Sequence, residues 1–290
     1  MRGGARLWRA PAKVNLTLHI LGRDDGGWHD LDSIVAFAGV SDWLRFEPGD
    51  GFSLTIDGPG AAEAGGGADN LVLKAARALA TRVPGLCGGR FHLTKNIPVS
   101  AGLGGGSSDA AAALRALSDA NGLALGDERV RAAAIATGSD GLVCLDPRAR
   151  LMRGRGERVG PPLLWPPVFA LLVNPGVSVP TPAVFAGLGL ARGETRGAPT
   201  PPPAGQECES ILAALAAGRN DMEPAARALA PEIGEVLAAL AGMPGARVAR
   251  MSGSGATCFA LFDDRRAAAR AARVMAREKP GWWVRATALR

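Results

Sequence analysis

The run Pro98-Val-Ser-Ala-Gly-Leu-Gly-Gly-Gly-Ser-Ser-Asp109 holds four glycines (Gly102, Gly104, Gly105, Gly106) and the hydroxyls of Ser107 and Ser108 within seven positions. Glycines remove the Cβ atoms that keep a backbone away from a ligand, and they admit positive φ. Successive N–H groups can then converge on one anion, and a helix beginning there adds its own unpaired N–H groups and dipole. An alanine-rich helical run, Ala110-Ala-Ala-Ala-Leu-Arg-Ala-Leu117, follows at once and stops at Asn121-Gly122. Ser107 or Ser108 is the expected N-cap, with Asp109 in the first turn. A bare surface loop would have no reason to abut a helix in this way, so a phosphate is the expected ligand. Two familiar phosphate loops do not fit. A P-loop carries Lys after its last glycine, where Ser107 stands. A dinucleotide fingerprint follows a strand, which Pro98 interrupts.

Other chemistry is sparse and therefore informative. Of 33 basic residues only Lys13, Lys74, Lys95 and Lys279 are lysines. Ammonium and guanidinium are not interchangeable beside a phosphate or a carboxylate. Asp140 lies in Gly138-Ser-Asp-Gly141, a setting that suits a turn former as well as a catalytic base. Gly253 and Gly255, in Ser252-Gly-Ser-Gly255, suit a tight strand connection, a close approach to a ligand, or both. The four cysteines (Cys87, Cys144, Cys208, Cys258) form no Cys-x-x-Cys pair, and the three histidines are dispersed. Buried reduced thiols are expected, with no metal site.

The elements that must position these residues can be read from periodicity and punctuation. An extended start covers 7–20, and strands are expected at 33–38, 43–47, 52–56 and 90–95. A mobile segment at 58–67 leads to a helix over 71–81 capped by Asp69-Asn70. Asp127 opens a second helix over 127–137. Prolines 161, 162, 166 and 167 mark a boundary, followed by a strand at 168–173 and a loop at 174–182. Residues 191–206, with four prolines and three glycines, read as a disordered-leaning surface loop. Helices at 210–217, 222–229, 231–241 and 265–278 and strands at 247–251, 257–262 and 282–286 complete the chain. The fold class is α+β in two domains, 1–160 and 161–290.

At 290 residues and 47% hydrophobic content the chain can build a substantial core. Its longest apolar stretches are too short to span a bilayer, and Lys13 and Asn15 interrupt any signal-like core near the start. A soluble cytoplasmic protein, monomeric or weakly dimeric, is expected. The net charge of +6 is spread along the chain. Affinity for anionic small molecules therefore fits better than nucleic acid or membrane.

Three segments together carry a family resemblance: Ala10-Pro-Ala-Lys-Val-Asn-Leu16, the loop at 98–109, and Met251-Ser-Gly-Ser-Gly-Ala-Thr257. In this order and spacing they resemble the three signature motifs of the GHMP small-molecule kinases, over roughly residues 10–262. The resemblance implies an N-terminal domain with a left-handed βαβ unit, a ferredoxin-like C-terminal domain, and an active site in the cleft between them. It also implies ATP and Mg²⁺, with Gly102, Leu103, Gly104, Gly105, Gly106, Ser107 and Ser108 around the phosphates. Asn70 would lie near the adenine. Lys95 would assist there, or is a solvated strand residue. Asp140 matches the catalytic aspartate and Lys13 its lysine partner. The family usually continues that aspartate with Val-Pro, where this chain has Gly141-Leu142. Asp109 and Asp146 are rival bases, although a helix N-terminus already explains Asp109.

Further segments narrow the resemblance: Gly22-Arg-Asp-Asp-Gly-Gly-Trp-His-Asp-Leu31, Asn174-Pro-Gly-Val-Ser-Val-Pro-Thr181 and Gly218-Arg-Asn-Asp-Met-Glu-Pro224. They point to a member whose acceptor hydroxyl belongs to a cytidine diphosphate-linked methylerythritol. Trp28 stands where the family has Tyr, and either ring can stack on a pyrimidine. His29 would read the base edge, and Phe185 would close the stack. Asn15, Thr181, Gly253 and Gly255 complete the expected acceptor site. Core packing is the competing reading for Phe185. The rival functions are a GHMP kinase for homoserine, mevalonate or a sugar, and a basic nucleic-acid-binding α+β protein.

Overall fold

The computed structural model describes residues 6–201, 205 and 207–290. The polar start at 1–5 and positions 202–204 and 206 of the proline-rich loop lie outside the described residues. In chain order the elements are β1 (Arg6–Asn15), β2 (His19–Arg23), β3 (His29–Gly49), β4 (Phe52–Asp57), α1 (Ala61–Ala64), α2 (Leu71–Ala80) and β5 (Gly88–Thr94). Next come α3 (Gly105–Ala120), α4 (Glu128–Ala136), α5 (Gly141–Leu145), β6 (Arg150–Gly154), β7 (Arg158–Pro162), β8 (Val168–Asn174) and α6 (Thr181–Ala186). The chain ends with α7 (Cys208–Ala217), α8 (Glu223–Leu229), α9 (Glu232–Ala241), β9 (Ala246–Met251), β10 (Cys258–Phe262), α10 (Arg265–Glu278) and β11 (Trp283–Leu289). No helix among the described residues is long and apolar enough to cross a membrane.

Packing does not follow a single cut in the sequence. One compact unit takes residues up to Lys13, Val40–Val99 and Gly104–Pro147; the other takes Val14–Gly39, Ser100–Leu103 and the described part of Arg148–Arg290. In the first, β4 runs parallel to β5, with Leu54 opposite Phe91. A parallel pair needs a crossover, and α1 and α2 supply it. The second half of β3 closes the other side of β5, antiparallel, with Phe46 opposite Phe91 at 5.0 Å between ring centroids. Helix α3 is built from Ala110 to Ala113, Leu114, Ala116 and Leu117, all buried, and their small size lets it seat closely on α2.

In the second unit β8, β9, β10 and β11 form an antiparallel sheet in the order β11-β8-β10-β9, with helices between β8 and β9 and between β10 and β11. This βαββαβ arrangement is the ferredoxin-like topology. Its core joins Leu171, Val173, Cys258, Phe262, Ile233 and Met275 to Leu18, Ile20 and Leu31 from the early hairpin. The first half of β3 pairs with β2 and β6.

Several expectations are corrected. Strands 33–38 and 43–47 are one strand, β3, because nothing between them breaks the extended chain. The segment 58–67, expected to be mobile, contains α1. Pro161 and Pro162, expected outside any strand, lie in β7, paired with β6, where a missing N–H is tolerated. The described part of loop 191–206 is fastened by backbone. Gly193 and Arg196 donate to the carbonyls of Arg23 and Leu21, and Arg23 donates to Glu194.

Candidate active site

Within the first unit, strand β1 delivers Lys13 to the loop. Its side chain is only 5% exposed, and Nζ stands 2.9 Å from Asp140 Oδ2. Asp140 is the N-cap residue of α5, yet its side chain makes no capping hydrogen bond, so the carboxylate faces the lysine. Gly104 covers this pair in the left-handed conformation at φ +58°, and a Cβ on it would come within 3.2 Å of Asp140 Oδ2 and 3.1 Å of Lys13 Cε. The left-handed conformation favours glycine there, and a Cβ would press on both side chains. Helix α3 starts at Gly105, directly after this residue.

The helix start differs from the sequence expectation. Gly104 is the N-cap, and Ser107 and Ser108 are already helical. Ser108 is buried, and its Oγ donates to the Pro11 carbonyl at 2.7 Å, tying the helix to β1. Asp109 is past the first turn and is not a dipole partner. It accepts from Lys95 Nζ at 2.8 Å, and Lys95 also donates to Asp42. Asp42 in turn accepts from the backbone N–H groups of Asn96 and Ile97. The solvated-strand reading of Lys95 is overturned, since the residue is 3% exposed. Its Nζ lies 3.3 Å from where a Gly105 Cβ would stand, so the charge sits at the first turn of α3. Burial pulls the Lys95 ammonium down, but the Asp109 and Asp42 carboxylates outweigh it and hold it above its ordinary value. Burial pushes Asp109 upward, Lys95 pulls it back, and the net direction is up. A carboxylate enclosed in this way is not available as a base.

Asn70 caps α2, accepting from the Val72 N–H and donating to the Gly65 carbonyl. The departure after Asp140 has a steric explanation. A Cβ on Gly141 would fall 2.0 Å from the Ala134 carbonyl oxygen and 2.8 Å from Thr137 Oγ1, so valine has no room. Gly141 to Leu145 are all buried, and burial, then the Asp140 charge, pushes the Cys144 thiol up to about 12.

Within the second unit the other half of the glycine loop is stitched to the late glycine turn. Gly102, at φ +73°, has no room for a Cβ against Ser252 O at 2.3 Å, and its carbonyl accepts from Ser252 Oγ at 2.9 Å. Thr257 N donates to Ala101 O. Ser252 Oγ also accepts from the Asn15 N–H, and Asn15 Nδ2 donates to Ser33 Oγ. Asn220, from the Gly218–Pro224 motif, braces the turn by donating to Met251 O and Gly253 O. The sequence reading had no role for it, although an Asn just ahead of the Glu223-Pro224 helix start was a visible signal.

His29 and Phe185 stack at 4.6 Å between centroids and 23° between planes. Phe185 reaches this position from the helix Thr181–Ala186, whose first two residues were expected to end a loop. His29 Nε2 is buried without a hydrogen-bond partner among the described residues, a polar edge aimed at something else. Burial, then the charge of Arg23, holds the His29 imidazole below its ordinary value, which favours the neutral ring. Trp28 is 57% exposed and carries the Arg155 guanidinium 4.8 Å above its ring. Thr181 Oγ1 and Ser254 Oγ share a hydrogen bond of 2.7 Å.

The fold and this site define a class. The model of the GHMP kinases N-terminal domain matches residues 70–145, and that of the C-terminal domain matches residues 207–281. Proteins named 4-diphosphocytidyl-2-C-methyl-D-erythritol kinase are 58% identical in Methylobacterium radiotolerans and 56% identical in Xanthobacter autotrophicus, each alignment covering 97% of this chain and 98% of the relative. A crystal structure of 4-(cytidine 5'-diphospho)-2C-methyl-D-erythritol kinase superposes with a TM-score of 0.77 at 36% identity, covering 98% of this chain and 99% of that one. The chain belongs to the 4-diphosphocytidyl-2-C-methyl-D-erythritol kinase family of GHMP kinases.

Proposed function

We propose that the protein transfers the γ-phosphoryl group of ATP to the 2-hydroxyl of 4-diphosphocytidyl-2-C-methyl-D-erythritol. The carrying observation is the Lys13–Asp140 pair beneath Gly104, at the start of a 16-residue helix. Phosphoryl transfer asks for little covalent chemistry from the protein; it asks for positioning and charge. In this reading Asp140 takes the hydroxyl proton as the new P–O bond forms and the bond to the ADP oxygen breaks. Lys13, 2.9 Å away, orients Asp140 and offsets charge on the transferring group. The N–H groups of residues 102–108 receive the phosphates, with Lys95 as a fixed charge under the first turn. Asn70 lies at the helix that would flank the adenine.

Mg²⁺ fits as an ion carried largely by the phosphates. Such ions need only one or two protein oxygens, and no cluster of three or more His, Cys, Asp or Glu side chains suited to a metal occurs among the described residues. Asp140 and the Ser107 hydroxyl are the oxygens the loop region offers. Bound there, the ion would neutralise phosphate charge. His29, Phe185 and Trp28 supply the aromatic surface for the cytosine, while Asn15, Thr181, Gly253 and Gly255 border the acceptor. A soluble cytoplasmic enzyme that needs no nucleic acid or membrane, as a monomer or weak dimer, is consistent with this assignment. Purified protein with Mg-ATP and, separately, the cytidyl acceptor, homoserine and mevalonate tests the reading by ADP release. Turnover of the cytidyl acceptor is expected; turnover of homoserine or mevalonate alone would refute it.

A further inference from the structure

The strap at 190–196 lies along the β2 edge and brings a second arginine to the turn that carries Trp28 and His29. Its backbone is fixed by the bridge between Gly22 and Thr195 and by the bonds from Gly193 and Arg196 to β2. Gly22 allows this approach, since a Cβ there would stand 2.5 Å from the Glu194 carbonyl oxygen. Arg23 links the two segments. Its Nε donates to Gly27 O at 3.1 Å and its Nη1 to Leu190 O at 3.0 Å. At Gly27, with φ +88°, an added Cβ would lie 3.5 Å from Nε and Nη2 of Arg192 and 3.6 Å from Nη2 of Arg23. Two guanidinium groups therefore converge on one face of a bare glycine, two residues before His29.

Two neighbouring carboxylates, Glu194 and Asp24, are committed elsewhere. Glu194 accepts from Arg196 and from the Ala191 N–H. Asp24 accepts from Arg155 and from the Trp28 N–H. Asp25 lies beside Gly193. Among the described residues, no carboxylate lies within 4.0 Å of a guanidinium nitrogen of Arg192 or Arg23. Like charges held together without a counter-ion are suited to an external anion, and a planar fork suits phosphate oxygens.

We infer that Arg192, positioned by Arg23 through the strap, binds the diphosphate of the acceptor and sets its preference for a nucleoside diphosphate over the bare nucleoside. The inference rests on the cytidyl acceptor proposed above. The charge of Arg23 is already felt at His29, so base and phosphate recognition share one turn. The strap then has a role of its own: it completes the acceptor site from a segment that carries none of the family's signature motifs.

The test compares cytidine diphosphate and cytidine as competitors of the cytidyl acceptor at saturating Mg-ATP, in wild type and in Arg192→Ala, Arg192→Lys and Arg192→Glu. Arg192→Ala is expected to lower the preference for the diphosphate about tenfold, the scale of one charge-assisted hydrogen bond. The inhibition constant for cytidine and the KM for ATP should stay as in wild type. Lysine should restore part of the preference, and glutamate should fall below alanine. An unchanged preference, or an equal loss for both competitors, would overturn the inference while leaving the kinase reading intact. A wild type that does not turn over the cytidyl acceptor would overturn that reading and this inference with it.

Discussion

At the scale of the residue, a buried lysine meets an aspartate that solvent still reaches, and in the proposed phosphoryl transfer their value is joint. In the proposed reaction Asp140 takes the hydroxyl proton and Lys13 stands 2.9 Å from it, so the loss of either side chain breaks the pair. Asp140→Asn should lower kcat by roughly 100- to 10,000-fold with ATP affinity close to wild type, measured by steady-state kinetics and nucleotide titration. Lys13→Met should fall in the same range, and the double variant should be little worse than either, because the two act as one unit. A second prediction concerns Gly141, where a Cβ would strike Ala134 O at 2.0 Å. Gly141→Val should cost about 1–3 kcal/mol, the scale of overpacking, in denaturant unfolding, and it should displace Asp140. Unchanged stability would mean the α4–α5 connection yields freely. The proximity of Lys13, Asp140 and Gly104 was legible in the sequence because the family motifs bring these positions together. The fit of Gly141 was not, because a steric contact with Ala134 depends on how α4 returns to α5.

At the scale of the element, the start of α3 shows what periodicity can and cannot reveal. The alanine run announced the helix and Asn121-Gly122 its end. Its first residue was misplaced by three or four positions because serine is the commoner cap, whereas here a left-handed Gly104 turns the chain. Burial of Lys95 between β5 and α3 could not be read from alternation in a short strand. That burial has a consequence for pH. Asp109, raised toward about 7 by burial against the pull of Lys95, keeps a proton in the folded state that the unfolded chain releases near pH 4. Its contribution to stability is complete below that range and is lost as pH rises toward the folded value. Unfolding free energy should therefore decline from pH 4 toward pH 7 through this group, and Asp109→Asn should flatten that slope in urea titrations. Lys95→Met should be far more damaging, by about 3–5 kcal/mol, since it leaves two carboxylates buried without their cation. If Lys95→Met unfolded at the wild-type midpoint, the triad would not be what holds β5 to the helix.

At the scale of the whole molecule, the linear order of motifs and the packing of the chain are different things. The family segments at 70–145 and 207–281 lie on either side of residue 160, where the prolines suggested a division. Compact packing crosses that line: Val14–Gly39 and Ser100–Leu103 belong with the C-terminal half. A sequence scan cannot see this, because the long strand β3 carries no break where its residues pass from one unit to the other. The ferredoxin-like sheet consequently lacks part of its core when only its own segment is considered. Leu18, Ile20 and Leu31 pack in the same cluster as Leu171, Val173 and Met251, and the end of β11 pairs Leu289 with Ala38. Burying three such aliphatic side chains contributes about 1.5–3 kcal/mol each, comparable with the entire net stability of a small domain. A fragment of residues 161–290 is therefore expected to express as a compact but non-cooperatively unfolding species, with broad thermal melting and dye-accessible apolar surface. Adding residues 14–39 in trans as a peptide should sharpen the melt. A fragment that unfolds cooperatively without the peptide would show that the ferredoxin-like segment is self-sufficient and that the early hairpin contributes to the site more than to the core.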